Sequence, residues 1–299
     1  MSTHSYGVHE LQKIKIWNYN PENKHTYIYI HGGAWRDPNN TYEELAPVAE
    51  TTPGATFIGI NYRLTSSKVK HPVHLADVTK AIVYIVTKFQ LQEIHLLGYS
   101  VGATMILQLL QFKYYFNESF MYYKFWIMDK ETAGESYDDS VFLELNEIEQ
   151  KEDLINKLDK LIKLGKLTIS SIKFLDGIYD LPKLLDEYPQ YASWVRQAYP
   201  GQKLIQLTSL SNMTYQTTHA LAPLTFDKST SMIDKDAKLY IVHSLQDELL
   251  SLHQTRLFED FLKNTVGKSC TVLTGDWGRH DDIYGDYRKE IFLYGEETS

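Results

Sequence analysis

Ser100 stands in Gly98-Tyr99-Ser100-Val101-Gly102, a G-x-S-x-G spacing at the end of the apolar run "EIHLL". Those residue types at that spacing suit nucleophilic acyl transfer. A sharp strand-to-helix turn pushes the serine hydroxyl into a cleft, and the glycines let strand and helix pack closely around strained backbone. The N–H of Val101 then lies at a helix N-terminus, where it can stabilise a developing oxyanion. Three fixed positions in five recur by chance, so the pentapeptide needs partners. His31-Gly32-Gly33-Ala34-Trp35 supplies one. Paired glycines after a strand leave backbone N–H groups free to face a ligand, and Gly32 and Gly33 are the expected further oxyanion donors. For both motifs a plain small-residue turn stays the alternative.

An acid and a base should follow the serine in chain order. Asp247 ends the run "KLYIVHSLQD", with Glu248 beside it as the alternative acid. His280 follows the last apolar run, "CTVLTGDW". From a loop there its ring can take the Ser100 proton and return it to a leaving group, oriented by Asp247. His31 precedes the serine and suits loop bracing. His243 lies inside a strand pattern and His253 at a helix start. No H-x-x-x-H, H-E-x-x-H or paired-cysteine spacing is present, nor a G-x-G-x-x-G or Walker loop, so neither metal nor cofactor is expected. "HDD" at 280–282 is the one alternative ligand cluster.

Such a constellation needs a sheet that brings several strand ends together. His25–Gly33, Ala55–Leu64 and the run ending at Ser100 are dense in β-branched and aromatic residues and read as buried strands. Between them, Tyr42–Glu50 and Pro72–Phe89 read as helices, the second opened by proline. "VGATMILQLLQFKYYF" reads as one apolar helix. After residue 166 the alternation resumes, with strands at Leu167–Gly177, Lys238–Asp247 and Cys270–Trp277. Helices fit "LPKLLDEY", "HQTRLFEDFLKNTV" and the C-terminal "DDIYGDYRKEIFLY". Strand-helix alternation with near-continuous apolar strands predicts an α/β fold, a mostly parallel sheet covered on both faces.

One stretch breaks the pattern. Asp129 to Lys163 holds eleven Asp or Glu and five Lys, most of the chain's net charge of −8. It reads as a mobile acidic segment followed by an amphipathic helix with Leu154, Ile155, Leu158, Leu161 and Ile162 on one face. The insertion is placed at about 117–166 of a single domain spanning 1–299. The acidic balance argues against nucleic-acid or anionic-membrane partners. Cys270 is the only cysteine, which excludes an intrachain disulfide and fits a reducing compartment. No secretory pattern opens the chain and no apolar run suits a membrane helix, so a cytoplasmic protein is expected. The expected partners are a small-molecule substrate and, at most, a second copy in a homodimer.

"HGGAW", "NYRL" with "HPVHLADV", and "GYSVGA" resemble the hormone-sensitive-lipase-like branch of the α/β-hydrolases. With "HGGAWRDPNNT", "FLDGIYDLPKLLDEYP", "VHSLQDELLSLHQT" and "HDDIY", the chain resembles the fungal kynurenine formamidases (arylformamidases) from about residue 25 to 295. The resemblance implies an α/β-hydrolase fold and hydrolysis of N-formyl-L-kynurenine to L-kynurenine and formate, in tryptophan catabolism and de novo NAD synthesis. It implies Ser100 as nucleophile, Asp247 as acid, His280 as base, and the HGG loop as part of the oxyanion hole. Two positions depart from related esterases: Tyr99 stands where His or Asp is common, and Ala34 replaces a third glycine. A formyl group needs little acyl pocket, so recognition falls on an aromatic amino-acid leaving group. Trp35, Tyr62, Tyr179 and Tyr188 are the aromatic candidates, against core or loop packing for each. The rival readings are a general short-chain carboxylesterase and a non-catalytic scaffold of the same fold.

Overall fold

A computed structural model describes residues 1–91, 93–134, 151–213 and 232–296. Eight strands form one sheet: β1 Ser2–Ser5, β2 Lys13–Trp17, β3 His25–Ile30, β4 Thr56–Ile60, β5 Glu93–Tyr99, β6 Ile169–Leu175, β7 Ile233–Ser244 and β8 Thr271–Gly275. Their order is β1-β2-β4-β3-β5-β6-β7-β8. From β4 to β8 all neighbours run parallel, while β1 and β2 close one edge antiparallel. The predicted strands therefore pair as expected. The edge pair went unread, although "KIKIW" alternates clearly: Ile14 and Ile16 are buried and Lys13 and Lys15 only partly so.

The strands have two apolar faces because period-2 side chains alternate between two covering layers. Ile28 and Ile30 join one core, and Tyr27 and Tyr29 the other. The first core receives α2 (Val73–Lys88), α3 (Val101–Leu110), α4 (Phe112–Thr132) and α5 (Lys151–Lys163). The second receives α1 (Ala46–Glu50) and α10 (Arg288–Phe292). Between β6 and β7 lie α6 (Leu181–Glu187), α7 (Ala192–Ala198) and α8 (Gln202–Leu207), and α9 (Leu252–Phe261) follows β7.

The expected single helix after Ser100 breaks at Gln111, and α4 then runs to Thr132, through the start of the predicted insertion. Helix α5 is amphipathic as expected. Leu154, Leu158 and Ile162 are buried, and the helix packs on α2 and α4 rather than standing clear of the body. Residues 135–150 of the acidic stretch lie outside the described residues. The C-terminal stretch is not one helix either. Ile283 and Tyr284 take positive φ values of 47° and 65° and separate two short 3-10 turns, the second of which leads directly into α10. Among the described residues no helix is long and apolar enough to cross a membrane.

Candidate active site

β5 hands over to α3 through Ser100, whose φ of 53° and ψ of −119° lie where non-glycine residues are strained. The turn is held on both sides. Ser100 N–H donates to the Leu175 carbonyl at 2.8 Å, and its own carbonyl accepts from Ala103 N–H at 3.0 Å. The two glycines are required by space. A Cβ on Gly102 would lie 2.1 Å from the Ile30 carbonyl oxygen, and one on Gly98 would lie 2.7 Å from the Gly102 backbone. Val101 is the first helical residue, so its N–H has no acceptor one turn back.

The HGG loop folds over this turn. Gly33, Ala34 and Trp35 take positive φ in succession, at 87°, 49° and 58°. The Gly33 carbonyl accepts from Arg36 N–H at 2.8 Å and Asp37 N–H at 2.9 Å, closing the loop on itself. Tyr62 Oη donates to the carbonyls of His31 and Gly32, at 3.1 and 2.8 Å. In a trans peptide the N–H points opposite its carbonyl, so this clamp turns the amides of Gly32 and Gly33 away from Tyr62. His31 stacks on Tyr62 at 4.2 Å, and burial pushes its pKa down to about 4, which keeps it a neutral brace. A Cβ on Gly32 would meet Ser100 Cβ at 3.0 Å, so the two motifs touch.

His280 and Asp247 meet across two strand-end loops. Asp247 Oδ2 accepts from His280 Nδ1 at 2.7 Å, which leaves Nε2 free to accept a proton. Asp247 Oδ1 accepts from the Leu249 and Leu250 N–H groups at 2.8 and 2.9 Å. Glu248, the alternative acid, instead takes His280 backbone N–H and the Arg279 guanidinium, both at 3.1 Å. Burial works against charge on His280, but the Asp247 bond and charge, with Asp176 behind, raise its pKa above the ordinary 6.5.

Two residues here were not read as site residues. Tyr99 Oη donates to the His280 carbonyl, and its ring lies 5.2 Å from the imidazole, which gives the unusual tyrosine a physical reason. Asp176, at the end of β6, accepts from Ser244 N–H at 2.8 Å and lies 3.4 Å from Tyr99 Oη and from His243 Nδ1. Asp176, Asp247 and His280 offer ligand atoms within 4.8 Å of one another. Burial first, and the Asp247 charge second, push Asp176 up to about 7. A cation placed among them would compete with the bond that orients His280.

Ser100, Val101, Gly33, Ala34 and His280 line one cavity of about 390 Å³. Its apolar and aromatic lining includes Ile178, Tyr191, Trp194, Leu249 and Leu250, and Arg36 and Asp281 stand among its polar lining. A larger groove of about 860 Å³ beside α2 and α5 holds neither Ser100 nor His280. None of the four predicted aromatic residues lines the serine's cavity. Trp35 and Tyr62 are 1% exposed beneath the HGG loop. Tyr179 stacks on Phe258 at 4.3 Å inside the core. Tyr188 stacks behind Tyr191 at 5.0 Å and accepts from Ser251 N–H. Sequence could have offered Tyr191 and Trp194 as the partly exposed positions of "PQYASWVRQ", but not their direction.

At the opposite end of the sheet, His25, Glu93, His95 and Glu296 also converge. There the groups satisfy one another: His25 Nδ1 to His95 Nε2 at 2.9 Å, His95 Nδ1 to Ser171 Oγ at 2.8 Å, and Lys173 to Glu296 at 3.4 Å.

A family model described as BD-FAE matches residues 16–124. The kynurenine formamidase of Scheffersomyces stipitis is 33% identical over 287 residues, covering 93% of this chain and 92% of that protein. The kynurenine formamidase of Debaryomyces hansenii is 32% identical over 292 residues, covering 94% of each. That of Saccharomyces cerevisiae is 30% identical over 274 residues, covering 89% and 86%. Among solved structures, esterase B from Lactobacillus rhamnosis superposes with a TM-score of 0.58 at 13% identity, covering 98% of this chain and 82% of that one. An arylesterase gives 0.54 at 13%, with the same coverage. At that identity the likeness establishes the fold, an α/β-hydrolase fold.

Proposed function

The chain belongs to the fungal kynurenine formamidase family and is a hydrolase, and on that premise we propose that it hydrolyses N-formyl-L-kynurenine to L-kynurenine and formate, a step of tryptophan catabolism. Ser100 is the nucleophile, His280 the general base and Asp247 the acid that orients it. The observation that carries this reading is that His280, bonded to Asp247 at 2.7 Å, lines the same cavity as a serine on strained backbone. Ser100 Oγ attacks the formyl carbon as His280 Nε2 takes its proton. The oxyanion is held by backbone amides of Val101 and of the HGG loop, Gly32 and Gly33. Each such donor is worth about 10²–10³ in rate. His280 then gives its proton to the aryl nitrogen, the C–N bond breaks, and L-kynurenine leaves. Water, deprotonated by the same histidine, attacks the formyl ester and releases formate, restoring the serine hydroxyl. The Asp247 carboxylate raises the proton affinity of His280, which suits it to take the serine proton and return it to the leaving nitrogen.

The test is turnover of N-formyl-L-kynurenine, followed by the absorbance of the kynurenine formed. Ser100→Ala should lower kcat by at least about 10³-fold with the circular-dichroism spectrum kept. No turnover by the wild type, alongside ready hydrolysis of p-nitrophenyl acetate, replaces this reading with the short-chain esterase.

A further inference from the structure

The leaving group in the proposed reaction carries an aromatic ring, an ammonium and a carboxylate, and the cavity has a matching division. Ser100, Val101 and His280 hold the reacting end. Trp194 and Tyr191, 5.4 Å apart, add half-buried rings to the same lining, and Tyr191 is fixed by a 2.8 Å hydrogen bond to the Leu249 carbonyl. Arg36 is the only lysine or arginine side chain among the described residues lining this cavity. Among the described residues its guanidinium makes no ion pair, unlike Arg63, which is locked to Asp77 at 2.8 Å, or Arg279 on Glu248 at 3.1 Å.

The backbone beneath Arg36 is fixed. Three successive positive-φ residues precede it, and its own N–H is bonded to the Gly33 carbonyl. Arg36 is exposed at the cavity and rises from the loop that would carry the oxyanion donors, so an anion bound by it lies near the reacting carbon. An unpaired arginine fork at the wall of such a cavity suits a planar carboxylate, which it can grip with two parallel hydrogen bonds. Asp37 and Asp281 line the same cavity, so an ammonium next to that carboxylate also meets opposite charge.

We infer that this part of the cavity is an amino-acid subsite in which Arg36 anchors the α-carboxylate of the leaving group and the Trp194–Tyr191 wall takes its ring. The inference rests on the proposed formamidase reading. Arg36 is a specificity residue: it touches the part of the substrate that does not react.

The experiment compares N-formyl-L-kynurenine with N-formylkynuramine, which keeps the aryl formamide and the amine but has no carboxylate. The wild type prefers the acid in kcat/KM. Arg36→Gln lowers that preference by about tenfold, because a hydrogen bond to a charged group is lost for one substrate only. The change falls on KM for the acid with kcat kept, and Arg36→Lys restores part of the preference. Equal losses on both substrates, or no loss on the acid, overturn the subsite and leave the formamidase reading standing. A wild type that cleaves neither formamide overturns that reading and the subsite with it.

Discussion

Strand β5 carries a buried histidine near one end, His95, and leads to Ser100 at the other, roughly 16 Å along. The two ends of the sheet gather the same residue types: two histidines and acids around His95, and a histidine and two acids around His280. Both imidazoles are buried, yet their proton affinities move in opposite directions. Burial, with Lys173 and His25 nearby, pushes His95 down to about 3, so its 3.6 Å approach to Glu296 is no ion pair at neutral pH. His280 is held up by a bonded carboxylate. At the His95 end both histidines and Lys173 have partners, and burial pushes Lys173 down to about 8 beside Glu296. Neither cavity reaches that end. At the other end a ring nitrogen and several amides are left unspent beside strained backbone and open space. Residue types do not separate a site from a structural network; unspent donors, strain and a cavity do.

The largest expected effect breaks the site at its proposed acid. Asp247→Asn should cost about 10⁴-fold in kcat/KM, because an amide holds the wrong tautomer of the imidazole. Glu248→Gln keeps an acceptor for the His280 backbone N–H and should stay within about tenfold. Comparable losses in the two variants would mean that the loop, and not the Asp247–His280 bond, supports turnover.

The opposite end should show the reverse pattern. His95→Ala strands Ser171 and His25 in a buried place, at a cost of about 1–3 kcal/mol. Tm should then fall by roughly 2–6 °C, while kcat/KM stays within about twofold of wild type. Scanning fluorimetry and turnover on the same sample decide it. A loss of activity without a loss of Tm would erase the distinction between the two ends.

The sheet was legible because parallel central strands are apolar on both faces and stand out as continuous runs. The motifs were legible because a turn this tight admits glycine alone at positions 98 and 102. The edge strand β1, "STHS", has no apolar signal to read. Which aromatics line the cavity was not legible, for a different reason. Trp35, Tyr62 and Tyr179 lie close in sequence to the motifs but turn inward, while Tyr191 and Trp194 arrive from the β6–β7 connection. No periodicity reports which way a loop aromatic faces. Asp176 was hidden in "FLDG", where an aspartate reads as an ordinary turn residue, and only the fold brings it to Asp247.

Asp176 also gives the smallest and most discriminating prediction. In the proposed mechanism His280 must be neutral to take the serine proton, so kcat/KM should fall as pH drops through its raised pKa, with the acid limb centred above 6.5. Asp176, pushed up to about 7, titrates in the same range, so the limb belongs to the coupled pair. Asp176→Asn keeps an oxygen for the Ser244 N–H and removes a negative charge that favours the imidazolium. The limb should move to lower pH by less than one unit, since the larger contribution of Asp247 stays. Stability provides a second reading of the same group. A carboxyl whose folded pKa is raised binds its proton more tightly in the native state. Its stabilising contribution is therefore full at low pH and lost as pH rises from about 4 to about 7. Asp176→Asn should accordingly gain Tm on the wild type between pH 5 and pH 8. A limb that stays in place while Tm behaves this way would make Asp176 a structural carboxylate. A limb that moves with no change in Tm would place its charge on His280 alone.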